Sequence, residues 1–545
     1  MEIMQALNAK RWLPPIAIKL FAGILICLAM SVSVLAVSDS KSRQHANEAL
    51  KNGDYENAEK QFRELLAKDA HDEEARLGLS FALLKQRMLQ DAYDHAARVV
   101  LTDPLSSRAH ALLGSVILAS GDFQNSVEEF RTSLSLKDDE ALAIAGLGMV
   151  DFYENRLDAA IKGLRRAVSL DSAEPDYLFN LGQATARNEH YKEAADAYEK
   201  FLAIAPKTDA DRRARIRGLI DFLRYLGKQS SLYVLAGENK TTLPFESLDG
   251  RPILKVRANN NRETLRFVLD TGSGMSVISE ETAKKLGLRP VARGGQARAV
   301  GGGGKFDIVY GFLESLELGD VRVESVPVYI RHFFDEKNPV DGYLGLSVIA
   351  KFIASVDYGD KVFMLRRPSE NFVKDLWGIR ISRNAVQPLA PGVLEIPLRT
   401  TSSGFLSGEV HLEGIDRPLN FIVDTGASVS VVSERLTKEE DLNNYLEPTR
   451  LRIYGAAGIA DDVRSLLLPK VMLGTITRER ISAAILDLDP VNETAGFTQM
   501  GILGANYLRH FRVSFDFQRG LIRLEPLNQK SNDADVARPN EHLDQ

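Results

Sequence analysis

The sequence predicts a multidomain protein in which an α-helical solenoid precedes two mainly-β lobes. Three observations predict this fold class. A 34-residue period runs from residue 46 to residue 206, a thirteen-residue pattern around Asp-Thr-Gly occurs twice, and after residue 226 an Ala- and Leu-rich texture gives way to Val and Ile alternation with Gly and Pro. The first feature is typical of stacked helix pairs and the last of short strands. A chain of 545 residues is long enough for several such domains.

Residues 1–40 have the features of a signal peptide or a membrane anchor. An uncharged run of 18 residues, 20–37, follows positive charges at Lys10, Arg11 and Lys19. Its length lies between that of a signal-peptide core and that of a membrane-spanning helix, so cleavage and retention both remain open. The positive charges before the run favour an exported body of the bacterial type, either periplasmic or membrane-anchored and facing outward. We expect membrane contact only through this segment.

The composition excludes several kinds of chemistry. Cys27 is the only cysteine, so the chain beyond it has no disulfide, thiol nucleophile or cysteine metal site. The nine histidines are scattered and form no ligand pattern. A net charge of −6 gives no support to nucleic-acid binding, which usually shows as a basic face. We therefore expect no cofactor, no metal and no nucleic-acid partner.

The period in the N-terminal third is marked by a large residue and, three positions later, a small one. The large residues are Tyr55, Leu89, Phe123, Leu157 and Tyr191, and the small ones are Ala58, Ala92, Ser126, Ala160 and Ala194. A small residue where two helices cross lets their backbones approach. The pattern resembles the tetratricopeptide repeat, and we assign it to residues 41–228, with 209–226 as a helix that caps the stack.

This resemblance implies a solenoid of tetratricopeptide repeats that binds a protein partner, as such arrays do on a concave face. A spacer that only holds the C-terminal half away from a membrane is the alternative. In either case the sequence does not name a ligand of the repeats.

Two stretches of the C-terminal half share one pattern, Phe267–Ser279 and Phe421–Ser433. Each places Asp-Thr-Gly after apolar residues, and the two aspartates stand 154 positions apart (424 − 270), about the size of a small domain. The elements around each triplet also recur in one order, which ends in a closing hairpin. We assign lobe 1 to residues 241–368, a linker to 369–392, lobe 2 to 393–527 and a disordered tail to 528–545.

Three features in each lobe carry a resemblance to the retropepsin-like aspartic proteases. They are the Asp-Thr-Gly triplet after an apolar strand, a Gly-rich loop where the family has its flap, and an apolar-apolar-Gly element before a short helix. The last of these is Tyr343-Leu344-Gly345 in lobe 1 and Ile502-Leu503-Gly504 in lobe 2. The resemblance implies two acid-protease lobes, an aspartic-type endopeptidase that hydrolyses peptide bonds, and a peptide or protein substrate bound as an added strand.

The resemblance assigns the catalytic carboxylates to Asp270 and Asp424. Two carboxylates held close together cannot both ionise cheaply, so one keeps a proton while the other loses it. The ionised group can then take a proton from water while the protonated group polarises the amide carbonyl. The residues expected to support this dyad are Thr271, Gly272, Ser273, Thr425, Gly426 and Ala427, and those expected in the flaps are Gly302, Gly303 and Gly455.

Within the family the two threonines hold the opposite lobe's backbone. Ser273 of the first lobe stands where the second has Ala427, so we expect the hydrogen bonds around the two carboxylates to differ. Three alternatives remain open for the activity. In the first, which tethering favours, the dyad forms within one chain. In the second, it forms only between two copies in a homodimer. In the third, the lobes are an inactive peptide-binding scaffold.

Overall fold

The computed structural model describes residues 40–300, 304–368 and 392–527. The expected tail lies outside these ranges, and so do all but the last residue of the expected signal or anchor segment and all but the last residue of the expected linker. None of the helices within them is long and apolar enough to cross a membrane. The domain limits set from the sequence therefore stay predictions.

Eleven helices fill residues 40–226 and pack against their neighbours in the sequence. Helix α1 spans residues 40–51. The others are α2 (Tyr55–Lys68), α3 (Glu73–Lys85), α4 (Leu89–Thr102), α5 (Ser107–Ser120), α6 (Phe123–Leu136), α7 (Ala141–Tyr153), α8 (Leu157–Leu170), α9 (Pro175–Arg187), α10 (Tyr191–Ile204) and α11 (Ala210–Leu226). The series of helix pairs confirms the predicted solenoid.

The residues that mark the 34-residue period explain why the helices pack closely. Each large residue opens the second helix of a pair, and each small residue three positions later has no exposed surface. Gly182 shows how near the helices come, because a Cβ added there would lie 2.7 Å from the ring of Tyr198. A larger side chain at this position would force α9 and α10 apart.

The repeat array curls until its first repeat meets its last. The Thr208 hydroxyl donates to the Asn52 carbonyl at 2.8 Å. On the inner face, Asp176 of α9 forms ion pairs with Lys85 of α3 and with Arg212 of α11, the latter at 2.7 Å. These contacts bring the inner faces of α3, α5, α7, α9 and α11 around one hollow, which we call the repeat cavity.

The described part of the two lobes contains 22 strands and five short α-helices. Lobe 1 has β1 (Val234–Gly237), β2 (Lys240–Leu248), β3 (Arg251–Ala258), β4 (Leu265–Leu269), β5 (Val277–Ser279), α12 (Glu280–Lys285), β6 (Ala292–Arg298), β7 (Lys305–Leu318), β8 (Val321–Arg331), β9 (Gly342–Leu344), α13 (Leu346–Ile349), β10 (Ile353–Asp357) and β11 (Val362–Arg366). The lobe is therefore mainly β, as predicted.

Lobe 2 repeats this order of elements. It has β12 (Leu394–Pro397), β13 (Arg399–Thr400), β14 (Leu406–Leu412), β15 (Leu419–Val423), β16 (Ser430–Ser433), α14 (Glu434–Glu439), β17 (Leu446–Gly455), β18 (Gly458–Leu473), β19 (Ile476–Leu486), α15 (Asp489–Ala495), β20 (Gly501–Leu503), α16 (Ala505–Leu508), β21 (Phe511–Asp516) and β22 (Leu521–Pro526). Strand β10 of lobe 1 pairs with β21 of lobe 2, so the two lobes share one sheet.

The closing hairpins of the two lobes also pair with each other, which the sequence did not predict. Val356 of β10 lies opposite Val513 of β21, and Ala354 lies opposite Phe515, with all four side chains buried. One continuous hydrophobic core therefore contains residues of both lobes. This shared core holds the lobes in a fixed orientation, because separating them would expose the apolar side chains to water.

Helix α11 packs the repeats against lobe 1. Phe222 stacks on Tyr310 of β7, with ring centroids 4.3 Å apart. Gly218 lies directly on β6, and a Cβ added there would be 2.2 Å from the Gly294 carbonyl oxygen. The sequence predicted α11 only as a cap of the solenoid, whereas in the structure it also covers the hairpin of β6 and β7.

The ends of the inner helices pack against lobe 2. Arg187, at the end of α9, donates to the Thr400 hydroxyl at 2.7 Å and to the Thr401 carbonyl at 2.6 Å. The ring of Phe497 lies 5.0 Å from the rings of Phe123 and Tyr153. The repeats therefore contact both lobes, an arrangement that no sequence pattern predicted.

Candidate active site

Two matched strands deliver the Asp-Thr-Gly triplets to the seam between the lobes. Asp270 follows β4, and Asp424 follows β15. Each strand pairs in parallel with the strand of the apolar-apolar-Gly element, β4 with β9 and β15 with β20. The Asp270 N–H donates to the Leu344 carbonyl of β9 at 3.0 Å, and the Asp424 N–H donates to the Leu503 carbonyl of β20 at the same distance. The apolar residues around the triplets thus fix the backbone that carries the carboxylates.

Thr271 and Thr425 interlock the lobes, as the family resemblance implied. The Thr271 hydroxyl donates to the Val423 carbonyl at 2.8 Å, and the Thr425 hydroxyl donates to the Leu269 carbonyl at 2.7 Å. Each hydroxyl also accepts from the other threonine's backbone N–H, at 3.0 and 3.2 Å. Neither threonine has exposed surface. A hydroxyl suits this position because it donates and accepts at once.

The triplet glycines bring the two carboxylates together. The Gly272 N–H donates to Asp270 Oδ1 at 2.9 Å, and the Gly426 N–H donates to Asp424 Oδ1 at 2.7 Å. A Cβ added at Gly272 would lie 2.3 Å from Asp424 Oδ2, and one at Gly426 would lie 2.7 Å from Asp270 Oδ1. Each carboxylate therefore packs directly on the glycine of the opposite lobe, which leaves no room for a side chain.

The surroundings of the two aspartates favour a shared proton. Burial raises the pKa of both carboxyls, and the nearby charge of Asp424 raises the pKa of Asp270 further, well above its usual range. Backbone N–H groups, with Gly426 first, partly offset the effect of burial at Asp424. The two carboxyls therefore hold one proton between them to higher pH than an ordinary aspartate would, and the larger rise in pKa falls on Asp270.

The residues after the triplets differ, but the serine hydroxyl does not reach a carboxylate. The Ser273 hydroxyl donates to the Met275 carbonyl at 2.7 Å. The expected asymmetry between Ser273 and Ala427 therefore does not arise from a hydroxyl bound to the dyad.

Two hairpins, one from each lobe, meet at the segments where the sequence predicted the flaps. In lobe 2, β17 and β18 turn at residues 455–458, with Gly455 paired to Gly458. In lobe 1, β6 and β7 form the matching hairpin, although its predicted tip residues Gly302 and Gly303 lie outside the described residues. The Ala457 N–H of one hairpin donates to the Val300 carbonyl of the other at 3.2 Å. The flaps thus touch each other in this state.

The first strand of each flap hairpin, β6 or β17, was missed by the sequence analysis, and for the same reason. Strand β6 reads ARGGQAR, which has no apolar alternation, and β17 contains Pro448. The side chains of β17 are mostly exposed, because the hairpin extends away from the core. A strand without a buried face has no periodic apolar signal.

Arg331 is a charged residue of the site that the sequence did not reveal. Its Nη1 donates to the Ala456 carbonyl of the opposite flap at 2.8 Å. Its guanidinium lies 5.0 Å from the centre of the Phe333 ring. No carboxylate among the described residues forms an ion pair with it, and its positive charge partly offsets the rise that burial and Asp424 cause in the pKa of Asp270. An arginine at the end of an apolar strand has no sequence pattern that marks it as part of a site.

The repeat cavity, with a volume of about 1130 Å³, opens beside Asp270. Asp270 and the segment 272–275 line one side, and the inner helices of the repeats line the other. Across the described ranges, no group of three or more His, Cys, Asp or Glu side chains is placed to hold a metal ion.

The fold and the site define a two-lobed acid-protease unit in a single chain, joined to a helical repeat array. Family models agree with this division. The model described as an aspartyl protease matches residues 254–348 and 409–507, and models described as tetratricopeptide repeats match residues 49–116 and 146–208. The chain thus combines tetratricopeptide repeats with two copies of an aspartyl protease domain.

A curated relative matches a short part of the chain. The tetratricopeptide repeat-containing protein trd-1 of Caenorhabditis elegans is 27% identical over 110 residues, which is 20% of this chain and 13% of that protein. The chain therefore covers far less than two thirds of that relative's length.

Several solved structures resemble part of the chain. The Thermus thermophilus repeat protein TTC0263 is 20% identical with a TM-score of 0.30, over 34% of this chain and 99% of its own. MamA from Desulfovibrio magneticus RS-1 is 22% identical with a TM-score of 0.23, over 31% and 97%. Pseudomonas aeruginosa pilF is 14% identical with a TM-score of 0.27, over 35% and 88%.

Proposed function

We propose that this protein is an aspartic-type endopeptidase whose dyad is Asp270 and Asp424 of one chain. The observation that carries the proposal is the interlocked pair of triplets. Each aspartate lies against the glycine of the opposite lobe, and the two threonines bind across the seam. Such a pair can activate water and polarise a carbonyl without a metal or a covalent intermediate.

The larger rise in the pKa of Asp270 favours Asp270 as the acid and Asp424 as the base. Asp424 takes a proton from water as the water oxygen attacks the amide carbon, and Asp270 donates its proton to the carbonyl oxygen. A tetrahedral diol forms. The C–N bond then breaks, the proton held by Asp424 passes to the leaving nitrogen, and Asp270 recovers its proton from the diol. Atoms and protons balance, and the dyad returns to its initial state.

The closed flaps imply an opening step before substrate binds. A peptide must enter between the flap tips and the dyad, so the contact from Ala457 to Val300 must break to admit it. An extended substrate can then exchange that contact for hydrogen bonds of its own backbone. Flap opening is therefore part of the cycle, as is common for enzymes that cover their substrates.

Cleavage of a peptide library by the purified full-length protein, from acidic to neutral pH, tests this function. We expect cleavage that falls about a thousandfold in Asp424→Asn, because the general base is lost. Asp416→Asn, on the exposed turn between β14 and β15, is the matched control and should cleave like the parent. A parent that cleaves nothing at any pH would favour the inactive scaffold.

We also propose that the first 40 residues export the protein, since three positive charges precede an uncharged run of 18 residues. Cell fractionation with N-terminal sequencing tests this. A periplasmic body that starts near residue 37 indicates a cleaved signal, and a membrane-bound body that retains the run indicates an anchor. Recovery of the whole protein from the cytoplasm would contradict export.

A further inference from the structure

The repeat cavity extends from the dyad into the repeat array. Its wall runs from Asp270 past Ser273 and Met275 to side chains of all five inner helices, α3, α5, α7, α9 and α11. Its volume of about 1130 Å³ is more than a small-molecule pocket needs, which is roughly 300–1,000 Å³. Asp270 of the dyad and the concave face of the repeats thus line one space.

The contacts between repeats and lobes hold this space in place. At one end, Arg187 of α9 also donates to the Ser402 carbonyl at 3.1 Å, and its guanidinium lies 3.8 Å from the centre of the Phe152 ring. At the other, Tyr225 of α11 packs edge-on against Phe312 of β7. Since the repeats contact both lobes, the opening between the repeat cavity and the dyad has a fixed position relative to α9.

Two amide side chains on α9 line this cavity. These are Asn180 and Gln183, and neither forms a hydrogen bond with any described residue. They are spaced i, i+3 on one helix face, between Asp176 in the ion-pair network and Arg187 at lobe 2. An amide both donates and accepts, so this row can bind a polypeptide backbone, which also presents both kinds of group.

The rest of the lining suits side chains of an extended chain. Phe81, Leu84 and Leu118 present apolar surface to the cavity, and so do Met149 and Phe179. Several charges of the lining pair with each other, since Asp176 forms ion pairs with Lys85 and Arg212, and Lys351 forms one with Glu189. The cavity therefore favours an occupant with a polar backbone and apolar side chains over a highly charged ligand.

We propose that the repeat cavity binds one flank of the polypeptide chain that the dyad cleaves, as an extended segment along α9. This inference rests on the proposed peptidase function and names its substrate class, which is unfolded or flexible protein segments with a long chain on that flank. Helix α9 has 13 residues and is about 20 Å long, which corresponds to about six residues of extended chain. Short peptides should therefore be poor substrates.

Substrates of one core sequence, extended by six to eight residues on one flank or on the other, test the proposal with the full-length protein. We expect extension on one flank to raise kcat/KM about tenfold over the short peptide, mainly through KM, and extension on the other flank to have little effect. The double variant Asn180→Ala/Gln183→Ala should lose this gain. Asn57→Ala/Gln61→Ala, on the exposed face of α2, is the matched control and should keep it.

The outcomes separate this inference from the peptidase function. If the core peptide is cleaved but neither extension raises kcat/KM, or the α9 variant keeps the gain, the flank inference is wrong and the peptidase stands. If no peptide is cleaved, binding of the fluorescently labelled long peptide decides. A Kd that rises about tenfold in the α9 variant but not in the α2 variant supports a peptide site in the cavity, and equal Kd values overturn it.

Discussion

Thr271 and Thr425 carry most of the polar contact between the two triplets. Thr425→Val removes a hydroxyl that donates to Leu269 and accepts from Thr271, and it leaves both partners buried without a bond. We expect the free energy of unfolding to fall by about 2–4 kcal/mol, together with a loss of cleavage, as measured by urea denaturation and peptide hydrolysis. Thr425→Ser keeps the hydroxyl and should retain most of the stability and most of the cleavage activity. Equal effects of the two variants would show that the hydroxyl is not what matters.

The raised pKa of Asp270 makes stability depend on pH. The folded state binds the Asp270 proton more tightly than the unfolded state, so this contribution is fully present below the ordinary aspartate pKa and is lost as the pH rises toward the folded value. Asp270→Asn removes the charge that must be buried at neutral pH. Urea denaturation should therefore show the variant more stable than the parent at pH 7, with a smaller difference near pH 4.

The same proton sets the pH dependence of cleavage. Because the dyad needs one proton, activity should fall when the pH rises past the raised pKa of Asp270, above the usual aspartate range. A pH profile of kcat/KM measures this. An alkaline limb at the ordinary aspartate pKa would contradict the burial and charge effects described for the pair.

At the scale of elements, α11 couples the repeats to a flap. Gly218→Ala places a Cβ against the Gly294 carbonyl, so β6 or α11 must move. We expect the free energy of unfolding to fall by about 1–3 kcal/mol and hydrogen exchange in the hairpin of β6 and β7 to increase. Gly163→Ala in α8 is the matched control, because its nearest neighbour would lie at 3.4 Å. Similar exchange in both variants would exclude this coupling.

The elements that the sequence predicted are those with a periodic buried face. The 34-residue period located the helix pairs, and the apolar runs before Asp270 and Asp424 located β4 and β15, since both strands are almost wholly buried. Strand β17 and Arg331 were missed because their side chains are mostly exposed or line the site, and β6 was missed because its sequence ARGGQAR has no apolar alternation. The contact of α11 with β6 depends on Gly218, and a single glycine does not indicate which surface it will meet.

At the scale of the whole molecule, Arg187 joins the repeats to lobe 2. Burial lowers its pKa to about 10, and no carboxylate among the described residues pairs with it, so its bonds to residues 400–402 offset the cost of a buried charge. Arg187→Met should lower the free energy of unfolding by about 3 kcal/mol and speed hydrogen exchange in residues 400–405. Arg131→Met, on the exposed face of α6, should do neither. An unchanged exchange rate in Arg187→Met would show that other contacts hold the lobe.

The central claim is that one chain carries one dyad built from its two lobes. The most direct measurement compares cleavage by Asp270→Asn, by Asp424→Asn, and by an equal mixture of the two proteins, over a range of dilutions. We predict that each variant loses about a thousandfold in kcat/KM, that mixing restores nothing, and that the parent's specific activity does not fall on dilution. Full activity of one single variant, or activity that returns on mixing and falls on dilution, would contradict this claim and show that the dyad forms between chains.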